Sequence, residues 1–295
     1  MIETRLLQYF LAVAREQGIT RAAEALHLSQ PTLSRQLKEL EDSLGVQLFI
    51  RGKRQILLTE EGKYFRARAE EMLSLMDKTE STLKNSHEII AGDIYIGCGE
   101  TKAMDFITKI FGDIHALYPD IHFHMFSGDA EAVLDRLDKG LIDIGLLLGP
   151  EEDERYEYLE LPYRDTFGLI MPREHPLASQ AVVQVEDLKK YPVSLPQQLL
   201  QGKSEALNRY LKEHTLDTCV SSYNLLYNAT FLVEQGICLA VCMDGIVDTQ
   251  GSRNLTFRPF DPPVTVPVKL VTKKYQTFSS SVRLFLERVR KQVET

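Results

Sequence analysis

The stretch from Thr20 to Gly62 constrains this chain more than any other: TRAAEALHLSQPTLSRQLKELEDSLGVQLFIRGKRQILLTEEG. Two short helical patterns abut across a tight turn, and a basic hairpin follows. Ala22, Ala23 and Leu26 share one face of the first helix, and the small residues let a second helix come close. Leu33, Leu37, Leu40 and Leu44 recur at helical spacing on the second. Ser29 suits the N-cap there, because its hydroxyl can accept from an otherwise orphan backbone N–H. Pro31 falls in the first turn, where a missing N–H costs nothing. Phe49 to Leu57 reads as two short strands joined at Gly52, with Arg51, Lys53 and Arg54 at the tip.

Taken singly, these features also fit a helical hairpin with a solvated charged face. Jointly they predict a winged helix-turn-helix, which puts one helix into the major groove of DNA and a wing beside it. The outward positions of the second helix are Gln30, Thr32, Ser34, Arg35 and Lys38. Gln and Arg make bidentate contacts to base edges, and Ser and Thr reach phosphates or bases. With Thr20, Arg21, Pro31, Arg51, Lys53 and Arg54 they form the expected DNA-contacting set. The stretch resembles the head of LysR-type transcriptional regulators, through Arg21-Ala22-Ala23, Leu26, Ser29-Gln30-Pro31, Ser34-Arg35, Leu40-Glu41, Leu44-Gly45, Leu48-Phe49, Arg51, Leu58-Thr59 and Gly62. The resemblance implies a DNA-binding domain over 1–59, a linker and dimerisation helix over 60–91, and an effector-binding domain over 92–295.

Between Thr59 and Ile90 there is no Pro, and no Gly after Gly62. Phe65, Ala69, Met72, Met76, Thr79, Leu83, Ser86 and Ile90 recur in alternating steps of four and three, the seam spacing of a two-helix coiled coil. Thr79 and Ser86 make the seam imperfect, and a helix packed on its own domain is the other reading. A single head reads one half-site and a dimer reads two, so Phe65, Ala69, Met72, Met76 and Leu83 are the expected dimer contacts. In the family the corresponding helix makes the dimer. The family also pairs dimers into tetramers, so the expected assembly is a homodimer or a homotetramer.

After Gly92 the pattern becomes alternating strands and helices. Asp93 to Cys98 reads as a strand, Lys102 to Leu117 as a helix stopped by Pro119, and Ile121 to Phe126 as a strand. Ala130 to Lys139 reads as a helix and Leu141 to Leu148 as a buried strand. A second unit opens near Tyr163, with a strand over Phe167–Met171. Helices follow over Ser204–His214 and Leu225–Gln235, then a strand over Ile237–Val241. The strand Val268–Val271 and the helix Ser280–Val293 return to the first unit. The expected fold class is therefore α/β. Lobe I takes 92–162 and 268–295, lobe II takes 163–267, and a ligand cleft lies at strand ends and helix N-termini.

This region resembles the effector-binding part of LysR-type regulators, itself similar in fold to periplasmic binding proteins. The marks are Tyr118-Pro119-Asp120, Gly140 with Asp143, His175-Pro176-Leu177-Ala178 and Val233 to Ile237. The resemblance implies effector contacts at Gly99, Glu100 and Thr101, at Ser127, Gly128 and Asp129, at Ser194, Leu195, Pro196 and Gln197, and near Asn224. Backbone N–H groups at a helix start plus the Thr101 hydroxyl suit an anion. Glu100 and Asp129 stand where neutral polar residues are common in the family. Either they cap helices and face water, or they favour a zwitterionic or cationic effector.

Charge divides along the chain. Residues 1–59 hold 8 Lys and Arg against 6 Asp and Glu, and residues 60–90 hold 5 against 7, so the remainder carries the net charge of −8. A net-acidic chain repels nucleic acid in general, so binding falls to the local basic surface of the head. No apolar run spans a bilayer and no apolar signal segment opens the chain, which points to the cytoplasm. Cys98, Cys219, Cys238 and Cys242 lack metal spacing and read as reduced, packed thiols, a redox switch being the alternative. His122 and His124 share a strand face but form no metal set. No G-x-S-x-G, H-E-x-x-H, P-loop or CxxC pattern occurs, so no enzyme, metal or cofactor is expected. A solute-binding protein would need an export signal and would leave the basic head unexplained. The expectation is a DNA-binding transcriptional regulator controlled by a small-molecule effector, with double-stranded DNA and RNA polymerase as partners and no membrane.

Overall fold

The computed structural model describes residues 2–52, 55–84, 91–201, 217–251 and 253–294. The chain divides into two compact units, Met1–Leu83 and Lys84–Thr295. The first holds α1 (Thr4–Glu16), α2 (Ile19–Ala25), α3 (Gln30–Leu44), a hairpin of β1 (Phe49–Arg51) and β2 (Ile56–Leu58), and α4 (Glu60–Lys84). Its core closes around Phe10, which lies 5.1 Å from the Phe49 ring and 4.8 Å from the Phe65 ring. Ala22 and Ala23 are buried between α2 and its neighbours, so the small side chains set the helix approach.

Three devices fix the head's turns. Ser29 accepts from the Thr32 N–H at 3.3 Å and starts α3. Gly45, at φ 69°, ends α3 in the left-handed region that costs glycine least. At the start of α4, Thr59 accepts from the Gly62 N–H at 2.9 Å. A Cβ on Gly62 would stand 2.1 Å from the Leu48 carbonyl oxygen, so only glycine fits there.

Phe65 and Ala69 are not free to meet a partner helix. They are 9% and 0% exposed, inside the head's own core. The head is small, and the first turns of α4 supply apolar surface it needs. Met72, Met76 and Leu83 stay outside, at 39%, 39% and 66% exposed. Ser86 and Ile90 lie outside the described residues.

The second unit is one ten-stranded sheet among the described residues. Its strands are β3 (Gly92–Cys98), β4 (Ile121–Ser127), β5 (Ile144–Leu148), β6 (Tyr156–Pro172), β7 (Val183–Gln184), β8 (Val193–Pro196), β9 (Cys219–Tyr223), β10 (Leu239–Met243), β11 (Leu255–Asp261) and β12 (Thr265–Lys273). The order β4-β3-β5-β12 in one lobe is matched by β9-β8-β10-β6 in the other. In each lobe three parallel strands are flanked by one antiparallel strand. Helices α5 (Ala103–Leu117) and α9 (Ser280–Val293) pack on one face of the first lobe, with Phe111 stacked 3.9 Å from Phe123. Val133 and Leu137 of α6 (Ala130–Asp138) are buried in a separate cluster with Tyr156 and Val271. The second lobe carries α7 (Gln197–Leu200) and α8 (Leu226–Glu234).

The lobes meet inside two long strands. Residues Tyr156 to Thr166 of β6 pair with β12, and Phe167 to Pro172 pair with β10 and β11. The expected boundaries near 163 and 268 therefore fall within continuous strands. Leu141 to Asp143 form a turn rather than the start of β5. Asp143 ties that turn to β3, accepting from the Tyr95 N–H at 2.9 Å. The helix expected over Ser204–His214 lies outside the described residues.

Candidate DNA-reading surface and effector cleft

On α3, Gln30, Pro31, Arg35 and Lys38 are exposed, and Thr32 and Ser34 are half-buried. Leu33, Leu37 and Leu40 hold the opposite face in the core, so burial of one stripe decides which side chains point out. Thr32 is partly committed, its hydroxyl lying 2.8 Å from that of Ser29. Arg35 leans toward Glu39 at 3.8 Å, with both side chains largely in water. Such a contact is worth about 0–1 kcal/mol, so the guanidinium is available to DNA at little cost. Thr20 and Arg21 are exposed on α2. Arg51 ends β1, opposite Ile56. Lys53 and Arg54 lie outside the described residues.

Glu41 was legible only as part of a resemblance, and its work is now visible. Its Oε1 accepts from the N–H groups of Leu48 and Phe49, at 2.7 and 3.1 Å. One carboxylate on α3 thereby fixes the first residues of the hairpin.

In the second unit a partly open cavity lies between the lobes. Of the expected contacts, Gly99, Glu100, Gly128, Asp129, Pro196, Gln197 and Asn224 line it. Each stands at a strand end or a helix start, where the topology turns residues toward the cleft. The rest of the wall is mostly apolar, with Leu146, Leu148, Phe167, Leu226, Met243 and Ile246 beside the polar Gln198 and Tyr223.

Thr101, Ser127, Ser194 and Leu195 do not line it. Thr101 is 8% exposed; its hydroxyl accepts from the Ala103 N–H at 3.1 Å and donates to Asp165 on β6. It starts α5 and braces the crossing strand instead of facing a ligand. Ser127 is bonded to the Cys98 thiol. Ser194 and Leu195 lie within β8 and are wholly buried, so only the strand's last residue reaches the cleft.

Among the described residues two bridges cross the cleft, neither with a local signal in the sequence. The Leu226 N–H donates to Glu100 Oε2 at 2.6 Å, so a lobe I carboxylate caps a lobe II helix. Lys102 Nζ donates to Asp244 Oδ2 at 2.5 Å. Close by, Asp165 is 4% exposed, and its Oδ2 is buried without a hydrogen-bond partner. Burial pushes its carboxyl above the usual range, while the bond from Thr101 pulls the other way.

Comparison with known proteins fits both halves of this geometry. Residues 4–63 match the bacterial regulatory helix-turn-helix protein model of the lysR family, and residues 87–294 match the LysR substrate binding domain. The chain belongs to the LysR family. It is 26% identical over 283 residues to the uncharacterized HTH-type transcriptional regulator YvbU of Bacillus subtilis, covering 95% of each chain. It is 31% identical over 189 residues to the Hca operon transcriptional activator HcaR of Escherichia coli, covering 63% of this chain and 62% of that one. Among solved structures, full-length CbnR complexed with its target DNA shares the fold at a TM-score of 0.79 and 20% identity, covering 98% of this chain and 99% of CbnR. The family is one of DNA-binding transcriptional regulators with an effector-binding domain.

Three of the four cysteines of this LysR-family chain are buried. All four are free, and burial pushes the thiols of Cys98, Cys238 and Cys242 upward. A thiol that reacts with oxidants needs a lowered value and access to water. His124 and His122 lie 3.0 and 3.9 Å from the same Asp93 oxygen on an exposed strand face.

Proposed function

We propose that this LysR-family regulator reads its operator through Gln30, Ser34, Arg35 and Lys38, and takes its effector in the interlobe cleft. The supporting observation is the convergence of Glu100, Asp129, Pro196 and Asn224, from four separate segments, on one mostly apolar cavity. A ligand touching both lobes favours one lobe arrangement through its differential contacts, and in a dimer that change is passed to the operator-bound heads. The chain acts without catalysing a reaction, in the cytoplasm, as a homodimer or a tetramer, and works on RNA polymerase at the promoter. The exposed Met72, Met76 and Leu83 of α4 are the dimer contacts in this reading.

Some relatives are hydrogen peroxide-inducible genes activators, 30% identical over 185 residues. The buried thiols of this chain favour ligand sensing over thiol oxidation. The test is selection of operator sequences from random DNA with the full chain, followed by operator titrations with and without metabolite pools. Selection of no sequence would overturn the regulator reading. Operator binding that no metabolite fraction alters would overturn the effector reading.

A further inference from the structure

We propose that the cleft is built for an organic cation with an apolar body, and not for a carboxylate. This rests on reading the cleft as the effector site. At three helix starts near the cleft, backbone donors an anion could use are already taken by the chain's own oxygens, while the start of α7 carries no side-chain cap. At the start of α8 the Leu226 N–H goes to Glu100 Oε2 at 2.6 Å, and the Leu225 N–H to Asn224 Oδ1 at 2.9 Å. At α6 the Ala132 N–H goes to Asp129 Oδ1 at 2.9 Å. At α5 the Ala103 N–H goes to Thr101.

The charge on the wall points the same way. Among the described residues, no Lys, Arg or His lines the cavity, while Glu100 and Asp129 both do. Lys102, the cation nearest in sequence, is held by Asp244. Each cleft carboxylate spends one oxygen on a backbone N–H and keeps a second for a ligand. A neighbouring cavity shares Asp129, Leu148 and Val266 with the cleft and is lined by Glu131, Glu151, Glu152 and Asp153; Glu152 is paired with Lys269 and Asp153 with Arg155. The leucines and Phe167 supply the surface that an apolar body would cover.

The test uses the full-length protein and three matched probes: 2-phenylethylamine, 2-phenylethanol and 3-phenylpropionate. Binding is read by calorimetry and by protein-observed NMR. The amine is expected to bind at least about tenfold more tightly than the carboxylate, because like charges in a partly desolvated site repel. Glu100→Gln combined with Asp129→Asn should bring amine and alcohol together, since the acceptor geometry survives and the charge does not. Glu100→Ala should free the Leu226 N–H and raise affinity for 3-phenylpropionate. Ile246→Trp, which fills the cleft, should abolish binding of the amine. A carboxylate that binds the native protein as tightly as the amine, and is blocked by Ile246→Trp, overturns the cation while keeping the site. Probe binding untouched by Ile246→Trp overturns the site itself. Failure of the amine to bind at millimolar concentration overturns the proposal outright.

Discussion

Replacing Glu41 with Ala should loosen the hairpin from the head without touching any DNA-facing side chain. The native carboxylate accepts two backbone N–H groups, from Leu48 at 2.7 Å and Phe49 at 3.1 Å. A hydrogen bond to a charged group contributes about 1.5–3 kcal/mol, and a buried donor left unpaired costs about 1–3 kcal/mol. Glu41 is only half-buried, so water replaces part of what is lost, and the net cost should be about 2–3 kcal/mol. In a domain the size of this 83-residue unit, that corresponds to a fall of roughly 10–20 °C in the head's melting temperature. Glu41→Gln keeps an acceptor and drops the charge, so it should lose about 1 kcal/mol or less. Hydrogen exchange at Leu48 and Phe49 in the full-length protein reads the effect locally. Both amides should exchange at least about tenfold faster in Glu41→Ala, a factor worth about 1.4 kcal/mol. Affinity for all DNA sequences should fall with them, because the wing contributes to backbone contacts. Unchanged protection of these two amides would refute the assignment of Glu41 as the wing's anchor.

Gln30→Ala should relax base preference at one operator position, at a cost of about 1–3 kcal/mol on the selected site and little on random DNA; equal losses on both would remove Gln30 from base reading. Met76 is 39% exposed on α4, so Met76→Lys should shift sedimentation toward monomer with the fold intact, and an unchanged mass distribution would take it out of the dimer contact. Asp165 has a folded-state value raised above 3.8 by burial, so the folded state binds more protons than the unfolded one above that pH. Stability should then be lost as pH rises from about 4 through the raised value. Asp165→Asn should gain on the native protein across that window, and parallel pH profiles of the two melting temperatures would contradict the raised value.

Residues with a local job were legible in the sequence. Ser29 and the leucines of α3 act over one or two turns, and their spacing alone places them. Phe65 and Ala69 misled because a heptad seam and a helix packed on its own core bury the same stripe. Which partner covers it depends on how much apolar surface the small head still lacks. Ser194 and Leu195 misled for a different reason: a resemblance places a segment near the cleft, but only the strand's end turns into it. Thr101 carries the right hydroxyl, yet α5 and Asp165 claim it first. The pairs Glu100 with Leu226 and Lys102 with Asp244 join positions more than a hundred residues apart, and no periodicity reports such a contact.

Those two bridges set how much work an effector has to do. Lys102 and Asp244 are each nearly half-exposed, so their attraction contributes about 0–1 kcal/mol after screening. The bond from Leu226 to Glu100 is charge-assisted and contributes about 1.5–3 kcal/mol. Together they hold the lobes by about 2–4 kcal/mol, which a ligand can offset or reinforce by preferring one arrangement roughly thirtyfold to several hundredfold. A ligand of modest size reaches that range with a few apolar contacts and one charge. The Glu100 contact matters most, because it lies in the cavity wall where a ligand's charged group would arrive. An ammonium group beside the free Glu100 oxygen leaves the Leu226 bond in place and adds to it. A carboxylate that takes the Leu226 N–H has to displace Glu100, opening that bridge. The sign of the effector's charge and the direction of the lobe movement are therefore one question, answered at the same residue.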